Sequence, residues 1–328
     1  MNVLILGKKP QRSDPTLTFA RRMVEAGVAC RFSGGVESTS TRAWLRLFRG
    51  ADVVLISKYG GVSNYGLRQL ELALAGGCIL VRRWAGSDVQ ACLANPMTRR
   101  RALLLDKLVT LNITPAPHLV SELNSIGITA QVTPCLVDSE SAHPQCPFVP
   151  RSILVYLPAT RRSFYGGDLV ERVVASNADI EFSIVADDTH SLKDFSNVRS
   201  FGWTDNMEPV WSGVGGLLRV TEHDGMPRMV LDALLRRKYV MYSWPLQGCE
   251  LVKNEGDVQN AIERFKIREA PNQDGPLIAR QFLDLDAPVK IRKILQDVVD
   301  QQSRIARLKH FSGSIGRTIR MRLGVRTV

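Results

Sequence analysis

Short apolar runs alternate with helix-patterned segments along most of this chain, and that alternation restricts the fold more than any single motif does. "NVLIL" at residues 2–6 reads as a buried strand, and Thr16 to Ala26 reads as a helix that Gly27 closes. "ACRFS" is a second strand, "TRAWLRLFRG" a short helix and "DVVLIS" a third strand. In "YGLRQLELALAGG" the apolar positions Leu67, Leu70 and Leu74 share one helical face ahead of a glycine stop. "CILVRRW", "KLVTLNI", "HLVSELNSIG" and "ITAQVTPCLV" continue the alternation. The pattern then breaks at "DSESAHPQCPFVPRS", Asp138 to Ser152, which has three prolines and no periodicity and reads as a linker. A second series follows. "ILVYLP", "IEFSIVA", "NVRSFGW", "GGLLRVT" and "KYVMYS" read as strands, with helices at Gly167 to Ser176, Pro227 to Leu235 and Val258 to Phe265. The expected fold class is α/β: two Rossmann-like, doubly wound domains facing a cleft. The expected division is 1–140 for the first domain, 141–152 for the linker, 153–302 for the second domain and 303–328 for a tail.

Bulk properties narrow the class further. At 328 residues the length suits about two domains. No apolar run reaches the roughly 18 residues of a membrane span, and the opening "MNVLILGKKP" has its charges after the apolar run, unlike a signal peptide. Six scattered cysteines form no C-x-x-C pair, which argues against a zinc site or a disulfide framework and for a reduced, cytoplasmic protein. The net charge of +11 favours anionic partners. Residues 303–328 hold seven Lys or Arg and no acid, with Ile315, Ile319 and Leu323 at helical spacing. Such a tail suits an anionic membrane surface or nucleic acid; a solvated helix packed on the first domain is the plainer alternative.

"RVTEHDGMPRMVLDAL", Arg219 to Leu234, concentrates the chemistry. A strand runs into an acid-rich turn, Gly225 lets backbone approach a ligand, and Pro227 suits the first helical position. A helix start offers unpaired N–H groups and partial positive charge to a phosphate. In open α/β sheets ligands sit at the carboxyl ends of strands, where this turn falls. Asp224 and Asp232 could accept hydrogen bonds from sugar hydroxyls. A plain D-G turn at a helix start is the alternative.

The same segment resembles the Glu-x7-Glu motif of retaining glycosyltransferases of the GT-B fold, family 4 in particular. Asp224-Gly225-Met226-Pro227 and Leu231-Asp232-Ala233 occupy the motif's places at its spacing. The resemblance implies that Asp224 contacts the donor sugar, that Asp232 holds the ribose, and that Gly225 and Met226 approach the sugar or diphosphate. It extends to "WAGSDV", whose Asp88 would orient the acceptor hydroxyl or the sugar, and to "NVRSFGWTDNM", where Gly202, Trp203 and Thr204 would border the nucleobase. Two departures stand out. Both acids are Asp rather than Glu. The family's Lys-Gly after an Arg is replaced by Tyr165-Gly166 in "TRRSFYGGD", which leaves Arg161, Arg162 and Arg219 as candidate phosphate contacts. Each of these arginines has a plainer alternative, in loop solvation or an ordinary salt bridge.

Lys8, Lys9 and Arg12 follow the first strand, and Ser57 and Lys58 the third; they are acceptor-side candidates, or simple loop residues. No G-x-G-x-x-G follows the first strand and no Gly-x-Ser-x-Gly is present, which disfavours dinucleotide enzymes and hydrolases. Adjacent Glu222, His223 and Asp224 converge poorly on one ion, so no metal and no resident cofactor are expected. The resemblance implies a nucleotide diphosphate sugar, UDP- or GDP-linked, as co-substrate. Three functions stay open: a retaining glycosyltransferase acting on a glycan or glycolipid at the inner membrane face, one acting on a modified base in DNA, and a non-catalytic nucleotide- or glycan-binding module. The basic "MTRRR", Met97 to Arg101, permits the second.

Overall fold

The computed structural model describes residues 1–7, 15–34, 41–57, 64–136, 146–284 and 286–301, the side chains of 64–69 excepted. Lys8, Lys9, Arg12 and Lys58 lie outside the described residues, as does the tail 303–328. The chain divides into two compact units, residues 1–136 with 284–328, and residues 137–283.

The first unit runs β1 (Asn2–Leu6), α1 (Pro15–Glu25), β2 (Ala29–Phe32), α2 (Thr41–Arg49), β3 (Val53–Ser57), α3 (Asn64–Ala75), β4 (Ile79–Arg83), α4 (Gly86–Ala94), α5 (Pro96–Asp106), β5 (Leu111–Thr114), α6 (Pro117–Ser125) and β6 (Gln131–Val132). Its sheet is parallel throughout, ordered β2-β1-β3-β4-β5-β6. The strands are buried on both faces, which is why they read as continuous apolar runs. Val3, Ile5, Val53 and Leu55 enter one core with α1, while Leu4, Leu6, Val54 and Ile56 enter the other with Trp44 and Phe48 of α2 and Leu105 of α5.

The second unit runs β7 (Ser152–Tyr156), α7 (Gly167–Ser176), β8 (Glu181–Val185), β9 (Val198–Gly202), α8 (Glu208–Ser212), β10 (Gly216–Arg219), α9 (Arg228–Leu235), β11 (Tyr239–Tyr242), β12 (Glu250–Leu251), α10 (Glu255–Lys266) and α11 (Gly275–Phe282). Its parallel sheet is ordered β12-β11-β10-β7-β8-β9. Ile153 and Val155 of β7 face a core with α7 and α10, and Leu154 faces the opposite core with α8, α9 and α11.

The doubly wound expectation holds in both units, but the division of the chain differs from the expected one. The last helix, α12 (Ala287–Gln301), falls within the 153–302 expected for the second domain, yet Ala287, Ile291 and Leu295 enter the core between α1 and the first sheet. The Arg292 guanidinium donates to the Ala26 carbonyl at 2.8 Å, closing the end of α1. Two helices also replace what the sequence suggested was a turn and a basic stretch: Asp88 lies in the first turn of α4, and "MTRRR" lies in α5, where Asn95 caps the Met97 and Thr98 amides. Among the described residues of the "ITAQVTPCLV" segment, Gln131–Val132 alone forms a strand. No described helix is long and apolar enough to cross a membrane.

Candidate functional site

The strand order of the second unit reverses direction between β7 and β10: β8 and β9 build outward on one side, β11 and β12 on the other. Loops leaving neighbouring strands at such a switch point diverge and open a crevice at their carboxyl ends. Here the loops are 157–166, after β7, and 220–227, after β10. They are joined at one point by the Glu222 amide, which donates to the Phe164 carbonyl at 3.0 Å.

Arg219, the last residue of β10, anchors the crevice. Its Nε donates to Asp224 Oδ2 at 2.8 Å, and its side chain is 11% exposed against 15% for Asp224. The other Asp224 oxygen accepts the Gly225 amide at 3.0 Å. Tyr156 and Tyr165, packed edge to face at 5.1 Å, lie beneath the Arg219 guanidinium at 5.6 and 5.5 Å. Burial works against the Arg219 charge, but the Asp224 carboxylate outweighs it and holds the guanidinium more firmly protonated than usual. Tyr242, at the end of the adjacent β11, hydrogen-bonds Asp224; burial first, then that carboxylate, pushes its phenol pKa well up. Tyr242 is a site residue that sequence reasoning missed, since a tyrosine in an apolar strand carries no signal of its own.

The β7 loop ends in two glycines with separate reasons. Gly166 has φ +63, and a Cβ there would stand 2.7 Å from Val220 Cγ1; a Cβ on Gly167 would collide with Arg162 Cγ. Gly166 occupies the N-cap of α7 with no side-chain cap, so the helix start is left to its own amides and dipole. Arg162 braces this start: it donates to the Gly167 carbonyl and the Ser191 hydroxyl and pairs with Glu171 at 2.6 Å. Arg161 instead lies over the Phe164 ring at 3.8 Å.

The remaining expected residues fall in three places. Gly202, Trp203 and Thr204 follow β9; the Trp203 amide donates to Asp188 Oδ1 at 2.7 Å, and its indole is 50% exposed. Pro227 is the cap of α9 rather than its first residue, its carbonyl accepting the Val230 and Leu231 amides, with Met226 just before it. Asp232, on α9, accepts from Arg236 Nε at 2.9 Å, and Arg236 also makes two bonds to Glu208 at 2.9 and 2.6 Å. Burial opposes the Arg236 charge, but Glu208 and Asp232 together raise its pKa.

In the first unit, Ser57 ends β3 and its hydroxyl lies 3.1 Å from that of Thr16. Asp88 is 9% exposed beside Arg82, whose guanidinium stacks on Trp84 at 3.5 Å. Burial lowers the Arg82 pKa to about 10, with Asp88 the largest opposing influence. Asp88 thus has a charge partner within its own unit.

No family model and no curated protein matches the sequence. The fold, by contrast, has close counterparts among solved structures. HepE (Alr3699) of Anabaena, solved with UDP and glucose, superimposes with a TM-score of 0.68 at 12% identity over 90% of this chain and 100% of that one. Sucrose-phosphate synthase from Thermosynechococcus elongatus gives 0.65 at 10% identity over 92% and 99% of the two chains. The pneumococcal O-GlcNAc transferase GtfA, with UDP and GlcNAc, gives 0.56 at 14% identity over 79% of this chain and 59% of that one. The class defined by this likeness is that of the GT-B glycosyltransferase fold, with its pair of Rossmann-like domains.

Proposed function

We propose that the chain is a nucleotide-sugar-dependent retaining glycosyltransferase whose acceptor is a glycan or glycolipid. One arrangement carries the reading: the Arg219–Asp224 pair and the uncapped start of α7 stand on the two strands that flank the switch point of the second sheet. Amides and dipole at the α7 start suit a diphosphate, and Arg219 brings a cation to the side where Tyr165 replaces a lysine. Structural neighbours that hold UDP support a uridine donor.

In this reading Asp224 receives the donor sugar's hydroxyls, Asp232 the ribose, and Gly202, Trp203 and Thr204 border the base. Glycosyl transfer places growing negative charge on the leaving diphosphate, and fixed donors aimed at that charge lower the barrier without reorganising. Arg219, Arg161, Arg162 and the amides around Gly225, Met226 and Gly167 are the groups suited to it. Asp88 and Ser57 are assigned to the acceptor side. The 303–328 tail, with its seven cations, is assigned to an anionic membrane surface.

The test is a panel of UDP- and GDP-sugars, read by release of nucleoside diphosphate and by the anomeric configuration of the product. Retention with one donor, lost in Asp224→Ala, is expected. Nucleotide binding without turnover on any donor would instead make the chain a binding module.

A further inference from the structure

Positive charge is not spread evenly along the chain. Residues 1–136 hold 17 Lys and Arg against 8 Asp and Glu, whereas residues 137–283 hold 16 against 20. The excess therefore belongs to the first unit, while the candidate donor site lies in the second.

Six exposed cations of the first unit share one face of its sheet. α2 and α5 feed the same core, through Trp44 and Phe48 in one and Leu105 in the other, so both lie on one face of the sheet. On α2 the exposed residues Arg42, Arg46 and Arg49 fall at i, i+4 and i+7, opposite the buried Trp44 and Phe48. At α5 the exposed Arg100 lies opposite Ala102 and Leu105, the exposed Arg101 flanks Leu105, and the exposed Lys107 caps the helix end. None of these six cations forms an ion pair among the described residues, whereas the exposed Arg151, Arg172 and Arg264 of the second unit do. Met97 stands 59% exposed one turn before Arg100 and Arg101, and the half-buried Leu104 lies one turn after them on the same face.

We infer that the outer face of α2 and α5 is a docking surface for an anionic phospholipid bilayer. Six such cations on two helices of one sheet face, with α3 between them, match a negative headgroup plane, each worth roughly a fivefold gain in binding near such a surface. An apolar side chain set among arginines suits the boundary between headgroups and acyl chains, with the arginine stems lying along it. Single-stranded nucleic acid is matched less well, because it draws on exposed aromatic side chains for stacking, and the exposed large hydrophobics among the described residues of this unit are Val24, Met97, Val132 and Val289. The inference is independent of the proposed transferase activity, since it uses only charge and exposure in the first unit.

The experiment is co-sedimentation of the full chain with phosphatidylcholine vesicles, with and without about one-third phosphatidylglycerol. Wild type should bind only the anionic vesicles. A variant with Arg42, Arg46, Arg49, Arg100 and Arg101 each changed to Gln should bind at least tenfold more weakly, and Met97→Asp several-fold more weakly, with both melting temperatures unchanged because every altered side chain is exposed. Undiminished binding by the five-site variant would move the contact to another part of the chain and overturn the assignment. So would a wild type that ignores anionic vesicles, or one that prefers duplex DNA to them at equal salt.

Discussion

Arg219 holds Asp224 by a single carboxylate oxygen: its Nε and a terminal guanidinium nitrogen both lie 2.8 Å from Asp224 Oδ2. Both side chains are largely withdrawn from water, so removing one leaves the other as an uncompensated buried charge. Arg219→Met should therefore cost about 3–5 kcal/mol in denaturant unfolding. The double variant Arg219→Met with Asp224→Asn should recover part of that cost while donor turnover stays lost. A double variant no more stable than Arg219→Met would show that the pair does not couple.

Gly166→Ala tests the loop that leads into α7. The left-handed backbone costs a non-glycine residue about 1–2 kcal/mol, and the added methyl meets Val220 Cγ1 at 2.7 Å. Adding Val220→Ala should relieve the contact and leave the backbone cost. Isothermal titration with UDP should show weaker binding in Gly166→Ala; unchanged affinity would detach this helix start from the nucleotide.

Asp232 and Arg236 separate a binding role from a structural one. Asp232→Ala leaves Arg236 its two bonds to Glu208, so the stability loss should stay near 1 kcal/mol, while the donor KM should rise about tenfold. Arg236→Met removes the bonds to Glu208, Asp232 and Cys146 of a side chain that is 2% exposed and should cost about 3 kcal/mol. A donor KM unmoved by Asp232→Ala would refute the ribose assignment.

Lys238 gives the fold a pH dependence of known sign. Its side chain is buried, with Nζ donating to the Pro147 and Val214 carbonyls at 2.6 and 2.7 Å. Burial lowers its pKa to about 8 from an ordinary value of 10.5. Between those values the unfolded chain binds more protons than the folded one, so this group makes stability rise with pH across that window and leaves it flat below. Cys249 acts oppositely: burial raises its thiol to about 12, so the folded state keeps a proton that the unfolded state loses and stability falls as pH climbs above 9. The difference in unfolding free energy between wild type and Lys238→Met, measured from pH 7 to 10, isolates the lysine and should grow by up to about 3 kcal/mol. A flat difference would mean that the two carbonyls hold the ammonium charged throughout.

Much of the fold was legible because parallel strands buried on both faces are written as apolar runs; "NVLIL" and "ILVYLP" needed nothing more. The turn at Asp224 was legible for a local reason, since a strand, a glycine and a proline fall within nine residues. What escaped depends on distant partners. Glu208 lies 28 residues from Arg236, and nothing local announces that Asp232 joins them. Tyr242 reaches Asp224 only because β11 lies beside β10. Helix α5 was hidden by three consecutive arginines that mask its apolar face, Ala102 and Leu105.

The return of α12 to the first unit makes the second unit an insertion between the parts of the first. During synthesis, the core between α1 and the first sheet therefore waits for Ala287, Ile291 and Leu295, and the second unit can complete its own sheet before they emerge. Vectorial order on the ribosome is thus inverted: the amino-terminal unit finishes last, and a chain truncated before residue 284 would carry a finished insert on an unfinished host.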